Sequence, residues 1–351
     1  MLFDKLVSQV DLRYFHETFS TMKAAYINET GPASNIQFGD LPKPHLKHSQ
    51  VLVKVGAVAV NPIDTYVRAG LVPMPLPMPF IVGCDLAGTV EAVGPDVKLF
   101  QPGDRVWGSN QGLLERQGTF AEYASVEECF LYATPKEVSD EQAAAISLVG
   151  ITAHLGLVRE ARLKPHETIF VNGGSGGVGS TVIQMAKAIG ATVYACAGTD
   201  EKVKACKELG ATVAFNYKTQ NIGEELKKIA PAGVNVWWET TREPNFDVVI
   251  AALAARGRMV VMAGREARPE FPIGPFYLKG CSIVGFVMFL ATPEEQRHCS
   301  VDINRWLKEG KLKAKIDRVL PLSEAATAHQ LQEEATIKSS GGIAGKIVLK
   351  T

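Results

Sequence analysis

Net charge is the first property that this chain lacks. Its 351 residues include 37 Lys and Arg and 37 Asp and Glu, so the formal net charge is zero. A neutral chain has no general attraction for nucleic acid or for an anionic membrane surface, and we expect neither as a partner. We also find no continuous apolar run of bilayer-spanning length, and therefore expect no membrane segment.

Cysteine is also scarce, and its spacing excludes two classes of protein. The six cysteines are spread singly along the chain, without the close pairs of a zinc knuckle or the density of a disulfide scaffold. This pattern is typical of a reducing compartment, and we expect a cytoplasmic protein. The cysteines are Cys84, Cys129, Cys196, Cys206, Cys281 and Cys299.

What the chain has in quantity is apolar residues and glycine turns. Apolar residues make up 46% of the sequence. With 351 residues, two domains of about 100–200 residues each are expected. Asp4, Asp11 and Glu17 argue against a targeting peptide at the start, so residues 1–21 are expected to be a peripheral N-terminal extension, or to result from an upstream start.

The most informative pattern is a glycine-rich turn at residues 173–179, between an apolar strand and a helix. Gly174, Gly176 and Gly179 match the dinucleotide fingerprint, which needs a tight turn, close backbone approach to a pyrophosphate and close helix–strand packing. The free amides at the helix start favour a phosphate. The alternative is a turn that binds nothing, but the flanking strand and helix favour the dinucleotide site.

Strands and helices alternate after residue 166, which predicts a parallel sheet covered by helices. Before residue 130 the pattern is one of short strands and Gly/Pro turns, which predicts a small β-rich domain. A capping-box pattern at residues 139–142 predicts a helix that continues to residue 149. The predicted strands are 168–172, 191–197, 212–216, 234–239, 259–263, 281–288 and a last one at 345–349; the predicted helices are 177–190, 200–209, 221–230, 246–256 and 293–309.

The end of the second strand of this alternation indicates which dinucleotide binds. NAD sites place a carboxylate there for the ribose hydroxyl, but here Gly198 and Thr199 follow the strand. Lys202 opens the next helix and is within reach of a 2′-phosphate. These residues favour NADPH. Asp200 is the main objection; the alternative is that Asp200 is a helix N-cap and Lys202 an exposed helix lysine.

Three sequence blocks together resemble a known family. Residues 59–66 (AVNPIDTY), residues 82–90 (VGCDLAGTV) and the 173–179 loop are similar to the medium-chain dehydrogenase/reductase superfamily, and most of all to its zinc-independent quinone oxidoreductases, the zeta-crystallin group. The resemblance covers residues 22–351. It implies an α/β protein with a GroES-like β-rich catalytic domain, residues 22–146 completed by 292–351, and a Rossmann doubly wound parallel-sheet domain at 147–291.

The same resemblance implies a cofactor cleft between the two domains. Tyr66 would contact the nicotinamide side, and Thr152 would bond the nicotinamide amide or only its own helix backbone. The implied pyrophosphate residues are Ser175, Gly176, Gly177 and Val178; those around the 2′-phosphate are Gly198, Lys202 and Tyr217; those near the ribose and nicotinamide are Ala263, Gly264, Arg265, Glu266, Phe286, Val287 and Met288.

Zinc dehydrogenases of the same superfamily are the main competitor, because a catalytic zinc needs three Cys, His or carboxylate ligands. Those relatives place a Cys in the first block and a His-Glu pair in the second, whereas this chain has Asn61 and Cys84-Asp85 there. The structural four-cysteine lobe is also missing. We therefore expect no metal.

The expected reaction transfers a hydride to an acceptor whose oxygen becomes negative and needs a fixed donor. Tyr66 and Asn61 are the candidate donors; Asp64 either orients Tyr66 or caps the turn. The proline- and methionine-rich segment 71–79 either lines the acceptor pocket or is an exposed linker. A quinone is the expected acceptor, with an alkenal or enone, or a non-catalytic NADPH-binding role, as alternatives. The apolar strand at 281–288 predicts an edge-to-edge homodimer.

Overall fold

The computed structural model describes residues 20–336 and 342–351. The expectation of a peripheral extension at residues 1–21 falls almost wholly outside the described residues. The described chain forms a β-rich part and a parallel-sheet part, so the expected α/β fold with both kinds of domain is confirmed.

The β-rich part is built mainly from antiparallel strands. A seven-stranded sheet has the order β15-β16-β3-β5-β6-β8 with β7 also on β3, and a three-stranded sheet has the order β2-β1-β4. The last strand, β16, pairs antiparallel with β3, so both ends of the described chain belong to this part. Its elements are β1 (Thr21–Ile27), β2 (Gln37–Pro42), β3 (Gln50–Ala59), α1 (Pro62–Arg68), β4 (Phe80–Ile81), β5 (Leu86–Val93), β6 (Arg105–Gly108), β7 (Tyr123–Glu127), β8 (Leu131–Ala133), α8 (Pro293–Lys308), β15 (Ile316–Pro321), α9 (Ala325–Thr336) and β16 (Lys346–Lys350).

The second part is a six-stranded parallel sheet in the order β11-β10-β9-β12-β13-β14. This is the dinucleotide-binding order, in which the direction of winding reverses between β9 and β12 and opens a crevice at their carboxyl ends. Its elements are β9 (Thr168–Asn172), α3 (Gly177–Ile189), β10 (Thr192–Ala197), α4 (Asp200–Leu209), β11 (Val213–Asn216), α5 (Ile222–Ile229), β12 (Val234–Glu239), α6 (Phe246–Ala252), β13 (Leu253–Val261), α7 (Ile273–Leu278) and β14 (Ser282–Gly285).

Both faces of the parallel sheet are buried, as helices on both sides require. Ile169 and Val171 of β9 face a core shared with α3 and the β-rich part, whereas Phe170 between them faces a second core under α5 and α6. Alternate residues of one short strand therefore join two different cores, which fixes the register of the strand.

A buried helix, α2 (Asp140–His154), joins the two parts and continues as a π-helical stretch at Leu155–Glu160. Ser139 caps it by accepting from the amide of Gln142 at 3.3 Å, but the Gln142 side chain bonds the backbone of Ala314 instead of closing the capping box. The helix is longer than the predicted 140–149, because β3, β5, β16 and α8 pack around it.

The same helix corrects the expectation about apolar runs. Residues 140–160 make up a stretch of the described chain that is long and apolar enough, by length and composition, to cross a membrane. However, 83% of its most apolar window is buried inside the protein. It is the core helix between two sheets, which explains its composition without a bilayer.

The largest boundary errors in the parallel sheet concern three elements, and strand pairing explains them. The strand predicted at 259–263 is β13, Leu253–Val261. The helix predicted at 246–256 ends at Ala252, because Leu253 already pairs with Val234 of β12. The strand predicted at 281–288 ends at Gly285, whose partner Val261 is the last residue of β13. Residues beyond Gly285 have no strand to pair with on that side and turn away.

Candidate active site

The glycine loop lies where β9 ends and α3 begins, and its three fingerprint glycines have different surroundings. A methyl group on Gly179 would lie 2.2 Å from the carbonyl oxygen of Gly173, and one on Gly174 would lie 2.8 Å from Ile183. At Gly176 the nearest described atom would be 3.7 Å away. Packing therefore requires glycine at 174 and 179, whereas Gly176 keeps an open space in front of the loop.

That open space faces the start of α3. Gly176 is the N-cap residue, and no side chain among the described residues caps it. The first-turn amides of Gly177, Val178 and Gly179 have no partner further back in their own helix. Ser175 is partly exposed beside them. Amide donors, a helix dipole and an unfilled space together fit a phosphate group.

The residues expected around a 2′-phosphate lie together at the carboxyl end of β10. A methyl group on Gly198 would lie 2.5 Å from the Tyr217 hydroxyl, so the tyrosine packs directly over this glycine. Thr199 is the N-cap of α4 and accepts from the amide of Lys202 at 3.3 Å. Lys202 is partly buried, and its Nζ lies 3.4 Å from the Ile343 carbonyl oxygen, to which it donates.

The Asp200 carboxylate is engaged by a neighbouring side chain. Its Oδ1 accepts from Nδ2 of Asn216 at 2.8 Å, in the first turn of α4. The suggestion that Asp200 is the N-cap was wrong, because the Thr199 hydroxyl fills that role. The carboxylate that argued against a 2′-phosphate thus already has an amide partner.

A cleft of about 280 Å³ opens at the same edge of the sheet. The buried carboxylate of Glu239 forms one wall and accepts from Nδ2 of Asn172 at 2.8 Å and from Nε1 of Trp237 at 2.9 Å. Asn221 and Asn245, the N-caps of α5 and α6, line it as well. The carboxyl edge of the sheet therefore has room for a bound group, whereas the Asn172 and Trp237 donors are already engaged by Glu239.

Tyr66 lies on the opposite side of the crevice, on α1, and one residue connects it to the parallel sheet. Nη2 of Arg242 donates to the Tyr66 hydroxyl at 2.9 Å. Arg242 follows β12 by three residues, and a methyl group on Gly173 would lie 2.1 Å from Oγ1 of the intervening Thr240. Tyr66 is therefore connected to the glycine loop through two contacts: its hydroxyl bonds Arg242, and Thr240, two residues before Arg242, packs on Gly173. No sequence motif pointed to Arg242.

The segment after β13 closes the same side. Gly264 packs on the backbone of Arg242, since a methyl group there would lie 2.3 Å from the Arg242 carbonyl oxygen. Nη1 of Arg265 donates to the carbonyl oxygen of Leu71 at 2.6 Å, across to the proline-rich segment. Glu266 is exposed beside Arg265, and Ala263 is half-buried. Of the two alternatives for segment 71–79, a free linker does not fit, because Val72, Met74 and Leu76 pack on the core.

The other expected nicotinamide residues lie around the π-helical end of α2 and after β14. Phe286 packs edge-on to Trp238 with ring centroids 6.5 Å apart, Met288 is buried, and Val287 is half-exposed. Thr152 is buried in the last turn of α2. These side chains are not linked to Tyr66 by direct hydrogen bonds in the described residues.

Asn61 does not present its amide to the crevice, and this corrects its expected role as a donor to the acceptor. The residue is fully buried. Its Nδ2 donates to Oδ2 of Asp85 at 2.8 Å and to the carbonyl oxygen of Ala59 at 3.3 Å, and its Oδ1 accepts from Lys346. Both amide hydrogens are committed to the protein, so Asn61 is a structural partner of a buried ion pair.

Asp64 caps the turn, which was the second of its two expected roles. Its Oδ2 accepts from the backbone amide of Asn61 at 2.7 Å, whereas the Tyr66 hydroxyl accepts from Arg242. Burial raises the pKa of Asp64 to about 7, and the nearby Asp85 carboxylate adds to the rise.

The donor set around these residues is a poor match for zinc. Asp85 is engaged by Asn61 and by the amide of Leu148 at 3.1 Å. Within residues 20–336 and 342–351 there is no group of three or more His, Cys, Asp or Glu side chains that could hold a metal ion.

Comparison with known proteins identifies the family. Human quinone oxidoreductase is 32% identical over 333 residues, which cover 93% of this chain and 97% of the human protein. The chain belongs to the zeta-crystallin-like quinone oxidoreductases of the medium-chain dehydrogenase/reductase superfamily. The alcohol dehydrogenase GroES-like domain family matches residues 47–136, and the family described as zinc-binding dehydrogenase matches residues 177–301.

Other members of the superfamily differ in their activity. The 2-methylene-furan-3-one reductase of Solanum lycopersicum is 31% identical over 337 residues, covering 94% of this chain and 79% of the tomato protein. Among solved structures, an NAD-dependent alcohol dehydrogenase superposes with a TM-score of 0.85 at 32% identity, covering 94% of this chain and 100% of that chain. Escherichia coli quinone oxidoreductase complexed with NADPH has a TM-score of 0.81 at 26% identity, with 95% and 100% coverage.

Proposed function

We propose that this protein is an NADPH-dependent quinone oxidoreductase that works without a metal ion. One observation carries the proposal: an uncapped glycine loop suited to a phosphate and the Tyr66 hydroxyl lie on two sides of one crevice, joined through Arg242. The similarity to quinone oxidoreductases over most of the chain supports it.

The nucleotide assignment depends on the chain's own residues, because relatives of both cofactor preferences have this fold. Ser175, Gly176, Gly177 and Val178 would hold the pyrophosphate. Gly198, Thr199, Lys202 and Tyr217 would surround the 2′-phosphate; the Lys202 ammonium opposes its charge, and Asn216 already engages Asp200. The E. coli relative with NADPH bound supports this choice. When bound, NADPH would supply a hydride, and the acceptor would take up that hydride and one proton.

The chain's own residues would orient the acceptor and supply its proton. Because Arg242 donates to Tyr66, the oxygen of Tyr66 is an acceptor in that bond and its own hydrogen is left to point elsewhere. An acceptor carbonyl in the crevice would receive that hydrogen. Tyr66→Phe is therefore expected to lower turnover with 1,4-benzoquinone by about tenfold or more, while leaving the affinity for NADPH nearly unchanged.

The competing function is reduction of an activated carbon–carbon double bond, which the tomato relative's name favours. The deciding experiment measures NADPH and NADH oxidation with 1,4-benzoquinone and with 2-hexenal in parallel, with zinc content determined on the same sample. Quinone turnover that needs NADPH and persists after chelation supports the proposal. Turnover of the alkenal alone favours the reductase, and loss of activity to a chelator contradicts the metal-free proposal.

We further propose that the protein is a homodimer of the cytoplasm. β14 is an edge strand of the parallel sheet, and Ile273, Tyr277 and Leu278 of the adjoining α7 are each at least 64% exposed. An apolar edge of this kind is normally covered. All six cysteines are unpaired, which suits a reducing compartment. Light scattering at micromolar concentration should give twice the chain mass, and Leu278→Lys should shift it towards the monomer.

A further inference from the structure

Arg242 brings a positive charge to the Tyr66 hydroxyl without a carboxylate partner among the described residues. Its guanidinium donates to the neutral Tyr66 hydroxyl at 2.9 Å, and no carboxylate within residues 20–336 and 342–351 forms an ion pair with it. By contrast, Arg265 on the neighbouring loop lies 3.4 Å from Glu266. A guanidinium has five N–H donors, so Arg242 keeps donors and a positive charge that a bound ligand could use.

The contacts of Arg242 determine where a group bound to its guanidinium would lie. Gly264 packs closely against the backbone of Arg242, and Thr240, two residues before Arg242, packs on Gly173 of the glycine loop. Its side chain then ends on the hydroxyl of Tyr66, on the other wall of the crevice. An oxygen atom placed beside this pair would receive one hydrogen bond from the tyrosine hydroxyl and one from the guanidinium.

We propose that Arg242 and Tyr66 form a two-donor clamp for the acceptor oxygen, and that Arg242 makes the site select an oxygen that carries or develops negative charge. This rests on the function proposed above and extends it to the acceptor: a quinone or conjugated carbonyl oxygen is held in its phenolate or enolate form. Because the Asn61 amide hydrogens are engaged within the protein, Arg242 is the second donor to the acceptor oxygen in this proposal. Charge-assisted hydrogen bonds of this kind are stronger than neutral ones.

The clamp is tested first by direct binding, which does not require turnover. The probe is 4-nitrophenol, whose yellow phenolate stands in for the reduced acceptor, added to the protein with NADP⁺ at a pH about one unit below the probe's own pKa. The wild-type protein should increase the phenolate absorbance. Arg242→Gln should abolish the increase, Arg242→Lys should keep part of it, and Tyr66→Phe should reduce it.

Arg268→Gln is the matched control, because it removes the same charge from an exposed residue of the loop after β13. It should retain the wild-type absorbance change. Because the side chain of Arg242 is itself exposed, Arg242→Gln should keep the wild-type melting temperature. An unchanged phenolate signal in Arg242→Gln, or no signal in the wild type, would overturn the clamp.

The second measurement is turnover with 1,4-benzoquinone. Arg242→Gln should lower kcat about tenfold to a hundredfold with little change in KM for NADPH, and Arg242→Lys should recover part of the loss. Equal kcat in Arg242→Gln would also overturn the proposal. Failure of the wild type to reduce any quinone, with the phenolate signal present, would reject the proposed function but keep the clamp.

Discussion

The ammonium of Lys346 lies 3.8 Å from the carboxylate of Asp85, and both side chains are almost completely buried. Lys346 also donates to the carbonyl oxygen of Val60 at 2.8 Å and to Oδ1 of Asn61. The ion pair joins β16 to the residue before β5, and the two hydrogen bonds join β16 to the segment between β3 and α1, the helix that carries Tyr66. A methyl group on Gly177 would lie 3.2 Å from Cδ of Lys346, so the glycine loop packs on the same lysine side chain.

Removing one member of this pair should destabilise the protein strongly. Lys346→Met leaves the Asp85 carboxylate buried without its cation, which costs about 3 kcal/mol or more of unfolding free energy. The double variant Lys346→Met/Asp85→Asn should recover part of the loss. Urea unfolding measures both, with Lys350→Met as a control because Lys350 is exposed and its partner Glu141 is only partly buried. Equal stabilities of the two single-site lysine variants would contradict a buried pair.

Asp64 predicts a pH dependence of unusual sign. Burial raises its pKa in the folded protein to about 7, above its ordinary value of 3.8. The folded state therefore binds more protons than the unfolded state between these values, so this stabilising contribution is complete below about pH 4 and is lost as the pH rises through 7. The slope is at most about 1.4 kcal/mol per pH unit.

Unfolding free energies of the wild type and Asp64→Asn between pH 5 and about 8 test this. The variant should lose the part of the slope due to Asp64 and gain on the wild type as the pH rises. Asp40→Asn, at an exposed ion pair with Lys23, should follow the wild type. Parallel curves for the wild type and Asp64→Asn would show that Asp64 titrates normally.

The glycine loop separates folding from binding at two neighbouring positions. Gly176→Ala places its methyl group in open space, so the unfolding free energy should change by less than about 1 kcal/mol, while the methyl group obstructs the phosphate and weakens NADPH binding by about tenfold or more. Gly179→Ala would put a methyl group 2.2 Å from the Gly173 carbonyl oxygen and should destabilise the fold itself. Thermal melting and nucleotide titration of both variants distinguish the two effects; normal NADPH affinity in Gly176→Ala would remove this loop from the site.

The parallel-sheet half was largely predictable from sequence because its signals are local. Apolar strands, helix caps and the glycine spacing each fall within a few residues, and the predicted strand 234–239 and helix 200–209 match β12 and α4 residue for residue. Where a boundary failed, as at Leu253, pairing with a distant strand had overridden the local helical pattern.

The chemistry of the site was less predictable, since it depends on contacts between distant residues. Tyr66 and Arg242 are 176 positions apart, and an arginine after a strand carries no signature of its own. Lys346 resembled an ordinary polar residue of a terminal strand, and only the fold brings it to Asp85 and Asn61. The expected role of Asn61 in the block AVNPIDTY was wrong, because nothing local in the sequence showed that its amide hydrogens were already in use.

Lys202 gives the sharpest test of nucleotide choice. The residue lies in the first turn of α4, three positions after the N-cap Thr199, and its Nζ donates to the Ile343 carbonyl oxygen. In the proposed site the ammonium contacts the 2′-phosphate, so Lys202→Ala should weaken NADPH binding about tenfold or more through loss of one charge-assisted contact. NADH has no such phosphate, and its affinity should stay within about twofold. Lys204→Ala, two residues on and paired with Glu208 on the exposed face of α4, is the control and should bind both nucleotides as the wild type does. Fluorescence titration with the two reduced nucleotides gives the four dissociation constants. Equal weakening of NADH and NADPH in Lys202→Ala would contradict a contact between this lysine and the 2′-phosphate.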